Sequence, residues 1–173
     1  MALATGVEMT IPYRGKTSES TYFITGNTFQ KKKLFQVEKN ALLFLDVMYH
    51  YREERKYLLH EFVLMPEHFH LILTPVGITL ERSLQLIKGG YSFRMGKEFG
   101  MRREVWQPSF LDRRVRDAAE YQKFRDYIHQ NPVKRFLAAR PEEYPYSSAS
   151  GSFTLDPVPQ WLKPRDEAAS MQA

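Results

Sequence analysis

Hydrophobic residues follow two different periods along the chain, and each change of period marks a new structural element. The segment from Thr21 to Thr28 is rich in β-branched and aromatic residues and predicts a strand. Between Leu34 and Tyr51 the apolar residues recur at helical spacing, which predicts an amphipathic helix. Two further β-rich runs, Tyr57 to Met65 and His68 to Thr74, flank the short turn Pro66-Glu67 and predict a hairpin.

A helix, a strand and another helix follow the hairpin. Apolar residues at helical spacing predict a helix from about Thr79 to Lys97. The run from Trp106 to Val115 fits a strand. Asp117, followed three residues later by a glutamate, resembles a capping box, and the helix that it begins runs to about Asn131, where Pro132 stops it.

The order strand, helix, strand, strand, helix, strand is that of a ferredoxin-like fold. We therefore expect an α+β protein in which helices pack on one face of an antiparallel sheet, with an extra C-terminal helix after the last strand. At 173 residues the chain is most simply one domain. We assign residues 1–150 to that domain, with polar residues 1–19 as an arm, and residues 151–173 to an irregular tail.

Positive charge is concentrated in one part of the chain. The net charge is +5, yet the segment from Lys88 to Arg140 holds 13 of the 25 Lys and Arg residues and only 6 of the 20 Asp and Glu residues. A concentrated basic surface suits a polyanion such as nucleic acid. A solvated face explains the same charge, so charge alone leaves both interpretations open.

The composition excludes several classes of site. The chain contains no cysteine, which rules out disulfide frameworks, thiolate metal sites and cysteine nucleophiles. The first residues have neither the basic region nor the apolar region of a secretion signal. The most apolar stretch, Ala41 to Met48, is far shorter than the ~20 residues of a membrane span. We expect a soluble, intracellular protein without a membrane partner.

Two histidines on the second hairpin strand are the first candidates for chemistry. Because side chains alternate along a strand, His68 and His70 share one face and Phe69 points to the other. Imidazoles ~6.5 Å apart along a strand can converge on one divalent metal ion. Two satisfied histidines at a sheet edge are the simpler interpretation, and the pair alone does not decide between the two.

The last predicted helix carries a second group. Tyr127 and Asn131 are four residues apart and Lys123 lies one turn earlier, so all three share a face. A phenol, a carboxamide oxygen and an ammonium would provide a nucleophile, a hard metal ligand and a phosphate contact. A tyrosine packed by its ring and an asparagine before a proline are the ordinary interpretation. His129 lies on a different face and is interpreted as structural or DNA-facing rather than as a ligand.

Six short blocks follow one another in a characteristic order. They are Thr21-Tyr-Phe-Ile-Thr25, Met65-Pro-Glu-His-Phe-His-Leu-Ile-Leu73, Lys88-Gly89 with Tyr91-Ser92, Val105-Trp-Gln-Pro-Ser-Phe110, Tyr127-Ile-His-Gln-Asn-Pro-Val-Lys134 and Tyr144-Pro-Tyr-Ser-Ser148. With these blocks the sequence resembles the REP-associated tyrosine transposases, a branch of the single-tyrosine HUH nucleases. The resemblance covers roughly residues 13–150, and six ordered blocks are far more specific than any one of them.

The resemblance implies a fold of the HUH nuclease type and a role for each group. His68 and His70 would hold Mg²⁺ or Mn²⁺, and Tyr127 would attack DNA. Asn131 matches the place of a glutamine that completes the metal site in related insertion-sequence transposases, with a shorter side chain. Phe69 replaces an apolar aliphatic residue between the histidines, on the side that points away from the metal.

The resemblance also implies the substrate, which is single-stranded DNA carrying the imperfect palindromes of repetitive extragenic hairpins. The polar arm would read a short sequence at the foot of the hairpin. Basic side chains would contact phosphates, so binding should weaken steeply with salt. The candidates are Arg14, Lys16, Lys88, Arg94, Arg113, Arg114, Arg116, Lys123 and Lys134, with Arg135 beside the last of them.

We therefore expect a tyrosine transposase, a metal-dependent and site-specific single-stranded DNA endonuclease and strand transferase. It would form a 5′-phosphotyrosine and act in the bacterial cytoplasm, at the nucleoid. The competing hypothesis is a non-catalytic hairpin-binding regulator of DNA or RNA on the same fold, and a metal-binding protein with another small substrate is a third. Related proteins include dimers that exchange the tyrosine helix, so the sequence leaves monomer and homodimer open.

Overall fold

Four antiparallel strands form one sheet in the computed structural model, which describes residues 20–164. The elements are β1 Tyr22–Asn27, α1 Glu38–Glu53, β2 Tyr57–Met65, β3 His68–Pro75, α2 Leu80–Phe99, β4 Leu111–Arg114 and α3 Ala118–Lys134. The strand order β2-β3-β1-β4 confirms the ferredoxin-like arrangement. The arm predicted over residues 1–19, with Arg14 and Lys16, lies outside the described residues.

Helices α1 and α2 pack on one face of the sheet, as predicted. Phe44 of α1, Phe69 of β3 and Tyr91 of α2 meet in this core, with Phe44 5.1 Å from Phe69 and 5.7 Å from Tyr91 between ring centroids. Trp106 lies 5.5 Å from both Phe69 and Tyr91, and its indole N–H donates to the Lys88 carbonyl at 2.8 Å. Aromatic side chains therefore supply much of the buried apolar area on this face.

A glycine on β1 makes room for the phenylalanine between the two histidines. Gly26 lies opposite Phe69 in the register of β1 and β3, and a Cβ on Gly26 would lie 2.3 Å from the Phe69 ring. Such a contact is far shorter than van der Waals distance, so only a residue without a side chain fits beneath this ring. The departure from an aliphatic residue at position 69 is thus accommodated inside the core.

Helix α3 covers the opposite face of the sheet, a placement that the sequence left open. Its buried residues Tyr121, Phe124 and Ile128 recur at helical spacing. They form a second apolar cluster with Val63 of β2 and Ile72 of β3. The sheet therefore lies between the α1–α2 pair and α3.

The last strand is shorter than the predicted run from Trp106 to Val115. Only β4 is regular, and Trp106 makes an isolated bridge to Thr28. Pro108 has no N–H to donate, and Ser109 adopts a φ of 69°. These two residues interrupt the ladder that the β-rich composition predicted.

The last helix is longer than predicted. It begins at the Asp117 cap, whose side chain accepts the Glu120 N–H at 2.8 Å, but it passes through Pro132 to Lys134. Pro132 lacks only the N–H that would reach Ile128, and because two residues remain after it, little of the helix is lost. Across residues 20–164 no helix, this one included, is long and apolar enough to cross a membrane.

The chain that follows α3 returns to the exposed edge of β2. The N–H of Leu64 donates to the Tyr146 carbonyl and the N–H of Asp156 to the Leu59 carbonyl, both at 2.8 Å. The Asp156 carboxylate accepts two hydrogen bonds from Arg52, at 2.8 and 2.9 Å. These contacts cover an edge strand that would otherwise present unpaired backbone groups.

Candidate active site

His68 and His70 lie on the face of the sheet that α3 covers, with ring centroids 4.8 Å apart. Strand alternation places them there because Phe69, between them, points into the α1–α2 core. Thr25 and Asn27 of β1 lie opposite them in register. Both imidazoles are buried, so each needs either a partner or a ligand.

His70 presents one unprotonated nitrogen to the site. Its Nδ1 lies 2.8 Å from Thr25 Oγ1, and the Ile24 carbonyl also hydrogen-bonds the ring. When Nδ1 donates to the Thr25 hydroxyl, Nε2 keeps its lone pair. Burial and the neighbouring His68 lower the pKa of His70 to about 3, so the ring is neutral at physiological pH.

His68 is held by a carboxylate that is itself paired. Its Nδ1–H donates to Glu67 Oε1 at 3.3 Å, and Arg135 donates to the same oxygen at 2.8 Å. Burial acts to raise the pKa of Glu67, but Arg135 and His68 outweigh it and the pKa lies below its ordinary value. Burial lowers the pKa of His68 against the opposing effect of Glu67, which favours the neutral ring with Nε2 unprotonated.

Tyr127 projects from α3 over the histidine pair. Its ring centroid lies 5.1 Å from that of His70 and 5.8 Å from that of Phe23, edge-on to both. The side chain is 45% exposed, whereas Phe124, Ile128 and Asn131, its neighbours on α3, are buried. The phenol is therefore both beside the imidazoles and open to a substrate from solvent.

The donor set fits a divalent cation. Each imidazole has Nδ1 held by another protein group, which leaves Nε2 free, and this is the arrangement that metal-ligating histidines adopt. Nε2 of His70 is buried and has no hydrogen-bond partner among residues 20–164. Asn131 lies one turn after Tyr127 and is buried. Within residues 20–164 no three His, Asp or Glu side chains are placed to hold a metal ion by themselves, so a cation here would depend on both imidazoles and the Asn131 carboxamide.

A buried glutamate fixes the helix that carries Tyr127. Glu61 of β2 accepts from Arg125 Nε at 2.9 Å and from His129 Nε2 at 2.8 Å, and Ser148 Oγ donates to it as well. Burial acts to raise the pKa of Glu61, yet the hydrogen bonds from His129, Ser148 and Arg125 outweigh it and lower the pKa. Arg125 and His129 lie on either side of Tyr127 in sequence, so this carboxylate sets the position of the phenol.

The candidate phosphate contacts divide into two groups. Arg113, Lys123 and Lys134 line an open cavity beside Tyr127. Three others are engaged within the protein: Lys88 donates to the Gln107 and Ser109 carbonyls, Arg94 pairs with Asp46 and Glu98, and Arg116 pairs with Glu120. Arg114 is exposed and lies elsewhere, opposite Tyr22 in the register of β1 and β4. Burial also lowers the pKa of Lys88.

Sequence reasoning missed the supporting roles of four residues, of which only Arg135 was a candidate, as a phosphate contact. Thr25 and Glu67 hydrogen-bond the two imidazoles, Glu61 hydrogen-bonds α3, and Arg135 hydrogen-bonds Glu67. Only Glu67 carried a local signal, because a carboxylate directly before His68 is within reach of its ring. The other three meet their partners through the fold.

Comparison with known proteins points to one family. A family model described as "Transposase IS200 like" matches residues 16–131. The REP-associated tyrosine transposase of Escherichia coli (strain K12) is 25% identical over 148 residues, which cover 79% of this chain and 83% of that protein. A solved structure of a REP-associated tyrosine transposase bound to a REP hairpin matches with a TM-score of 0.67 at 22% identity, covering 91% of this chain and 96% of the other. That structural match shows a shared fold.

Proposed function

Because the chain belongs to the IS200-like transposase family, we propose that it cleaves and rejoins single-stranded DNA with Tyr127 as the nucleophile. The observation that carries the proposal is the half-exposed phenol of Tyr127, whose ring centroid lies 5.1 Å from that of His70. Nε2 of His70 has no hydrogen-bond partner among the described residues. A nucleophile whose ring packs against an imidazole with a free nitrogen is what a metal-assisted phosphoryl-transfer site requires.

The proposed substrate is hairpin DNA with single-stranded flanks. One relative of this chain is a REP-associated tyrosine transposase, and the structure of a protein with the same fold has been solved bound to a REP hairpin. The cations beside Tyr127 suit a phosphate backbone. We extend this to a place of action at the bacterial nucleoid, where such repeats occur on the chromosome.

Three side chains would hold a divalent cation, Mg²⁺ or Mn²⁺. They are His68 and His70 through Nε2 and Asn131 through its carboxamide oxygen, a set of neutral donors that leaves positions for phosphate and water. When bound, the cation would act as a Lewis acid on the non-bridging oxygens of the scissile phosphate.

The chemical step exchanges one phosphodiester for another. Tyr127 Oη attacks the phosphorus, the bond from phosphorus to the 3′ oxygen breaks, and the products are a 5′-phosphotyrosine and a free 3′-hydroxyl. The phenol proton passes to water, to which the half-exposed side chain has access, and the 3′ oxygen takes a proton from water. Because the ester is conserved, attack by another 3′-hydroxyl reverses the step and joins strands.

The surrounding residues position the reacting groups. Thr25 and Glu67 orient the imidazoles, and Glu61 holds α3 so that Tyr127 faces His70.

A covalent-adduct assay tests the proposal. Purified protein is mixed with labelled hairpins that carry single-stranded flanks, with and without Mn²⁺, and resolved on a denaturing gel. We expect a metal-dependent shifted band that disappears in Tyr127→Phe and persists in the control Tyr51→Phe, on α1 at the opposite face of the sheet. No band on DNA that demonstrably binds would instead favour the non-catalytic hairpin-binding regulator.

A further inference from the structure

A cavity of about 540 Å³ opens directly beside Tyr127, between α3 and the β1–β4 side of the sheet. This volume lies in the range of sites that enclose small organic ligands, about 300–1,000 Å³. The Tyr127 ring forms one wall, so whatever occupies the cavity is a neighbour of the group that the phenol attacks. The cavity is separate from the histidine pair, which does not line it.

The floor of the cavity is aromatic. Phe23 of β1 stacks on Phe124 of α3 with ring centroids 4.4 Å apart and planes within 5°. Phe23 is half-buried, so part of its ring faces the opening. A nucleobase is a flat apolar ring with a polar edge, and aromatic side chains bind unpaired bases in a way that tolerates sequence.

The rim of the cavity is cationic. Arg113 of β4 and Lys123 and Lys134 of α3 are exposed and line the cavity, and none of the three makes an ion pair or a side-chain hydrogen bond with another residue in the range 20–164. Three other basic candidates are already engaged within the protein: Lys88 with two backbone carbonyls, Arg94 with Asp46 and Glu98, and Arg116 with Glu120. Unpaired cations around an apolar floor fit a ligand that is flat and apolar at one end and anionic at the other.

One acidic and one neutral polar side chain complete the lining: Asp126, which accepts a hydrogen bond from Gln122 at 2.8 Å, and Gln130. Gln130 is exposed on the same stripe of α3, one turn after Tyr127, and its amide offers both a donor and an acceptor. An amide of this kind can pair with both the donor and the acceptor on the edge of a base. The cavity thus combines a surface for a base, an amide for its edge and cations for the phosphates on either side.

We propose that this cavity binds one unpaired nucleotide next to the scissile phosphate, with its base turned out of the strand onto the Phe23–Phe124 floor. The inference rests on the proposed DNA-cleaving function and adds a base-reading subsite to it. Arg113, Lys123 and Lys134 contact the flanking phosphates, and Gln130 contributes base preference at that single position.

Binding of abasic oligonucleotides tests the subsite. The probes are one hairpin with single-stranded flanks and a series in which each flanking position in turn lacks its base but keeps its phosphate. Binding is measured with Tyr127→Phe, which keeps the ring and forms no adduct. We expect one position at which the abasic change weakens binding about 5- to 100-fold, the range for a stacked base. Equal binding across the whole series, or no binding of any flanked hairpin, would overturn the proposal.

Two exposed variants link that position to the cavity. Gln130→Ala should change the base preference at the sensitive position and at no other, whereas Gln85→Ala on α2 should change none. Lys123→Ala should weaken binding of every probe and lower the salt slope by about one, whereas Lys97→Ala on the other face of the sheet should not. If the sensitive position keeps its preference in Gln130→Ala, the base lies outside this cavity.

The two proposals fail in different ways. Because the probe series uses an adduct-free protein, the position-specific loss of binding is independent of cleavage. A covalent adduct without a sensitive position would leave the nuclease function standing and remove the subsite. A sensitive position without any adduct would keep a nucleotide-binding cavity and remove the nuclease function.

Discussion

Replacing Glu61 by glutamine should separate the stability of the fold from the placement of Tyr127. The side chain is 5% exposed and accepts hydrogen bonds from Arg125 and His129, both on α3. Glutamine has the same shape but carries no charge and brings a competing N–H₂ group. The change therefore weakens the link between β2 and α3 without opening a cavity.

The expected loss of stability follows from the two bonds to α3. Hydrogen bonds to charged groups contribute about 1.5–3 kcal/mol each, and breaking a buried pair can cost about 3–5 kcal/mol. The Arg125 side chain is 42% exposed and regains water, so its share is smaller. We expect the free energy of unfolding to fall by about 2–4 kcal/mol, measured by urea denaturation at pH 7.

The effect on catalysis should exceed the effect on binding. Tyr127 lies between Arg125 and His129, and a misplacement of about 1 Å at a reacting group can reduce the rate about 100-fold. We expect adduct formation in a single turnover to slow about 10- to 100-fold, with a smaller loss of hairpin affinity. Glu142→Gln, an exposed acid after α3, is the matched control and should change neither quantity.

The pH dependence gives the sign of the electrostatic contribution. The pKa of Glu61 is lowered in the folded protein, so its charge stabilises the fold at pH values above the pKa of an unfolded glutamate. This stabilisation disappears as the pH falls through the pKa of Glu61 in the folded protein. The gap in stability between wild type and Glu61→Gln should therefore narrow in acid. A variant with wild-type stability and wild-type adduct rate at pH 7 would refute the reasoning.

Three further outcomes follow from the structure. Gly26→Ala should lower the free energy of unfolding by roughly 1–3 kcal/mol, because the new Cβ meets the Phe69 ring. Gly89→Ala, in open space on α2, is the control and should raise the melting temperature. The same change in stability for both variants would contradict the packing argument. Burial lowers the pKa of His60, so the unfolded chain takes up a proton first and the stability falls as the pH drops below about 6.5. His60→Gln should therefore flatten part of this pH dependence in thermal melts from pH 7 to 5. An unchanged pH dependence of the melting temperature would contradict the reasoning. Millimolar Mn²⁺ should raise the melting temperature of the wild type but not of His70→Ala, and a shift retained in the variant would place the ion elsewhere.

Local sequence patterns predicted the helices and strands because each of these elements forms from residues that are close together in sequence. The bounds of β2 agree with the predicted run, and the shared face of His68 and His70 follows from strand alternation alone. The order of elements then gave the sheet, since a ferredoxin-like chain has few ways to pair its strands. The short β4 shows the limit of composition, because Pro108 and Ser109 interrupt a run that otherwise favours a strand.

The support of the site depends on long-range contacts and had no local signal. Glu61 meets Arg125 and His129 across 64 and 68 residues of sequence. His129 was interpreted as structural or DNA-facing, and its partner is a strand residue that nothing near it in sequence indicates. Similarly, the ammonium of Lys88 is bound to two backbone carbonyls that only the fold brings near it.

The register of β3 ties the core and the site together. Phe69 can enter the α1–α2 core only if its neighbours His68 and His70 point to the opposite face, where α3 brings Tyr127 over them. Gly26 is the position on β1 that permits this register, because any side chain there would push against the Phe69 ring. A slip of one residue would exchange the histidines with the phenylalanine and place two imidazoles in an apolar core without partners. The packing of the α1–α2 side of the sheet therefore enforces the direction of the two histidines, so a substitution at Gly26 should disturb the candidate metal site without touching it.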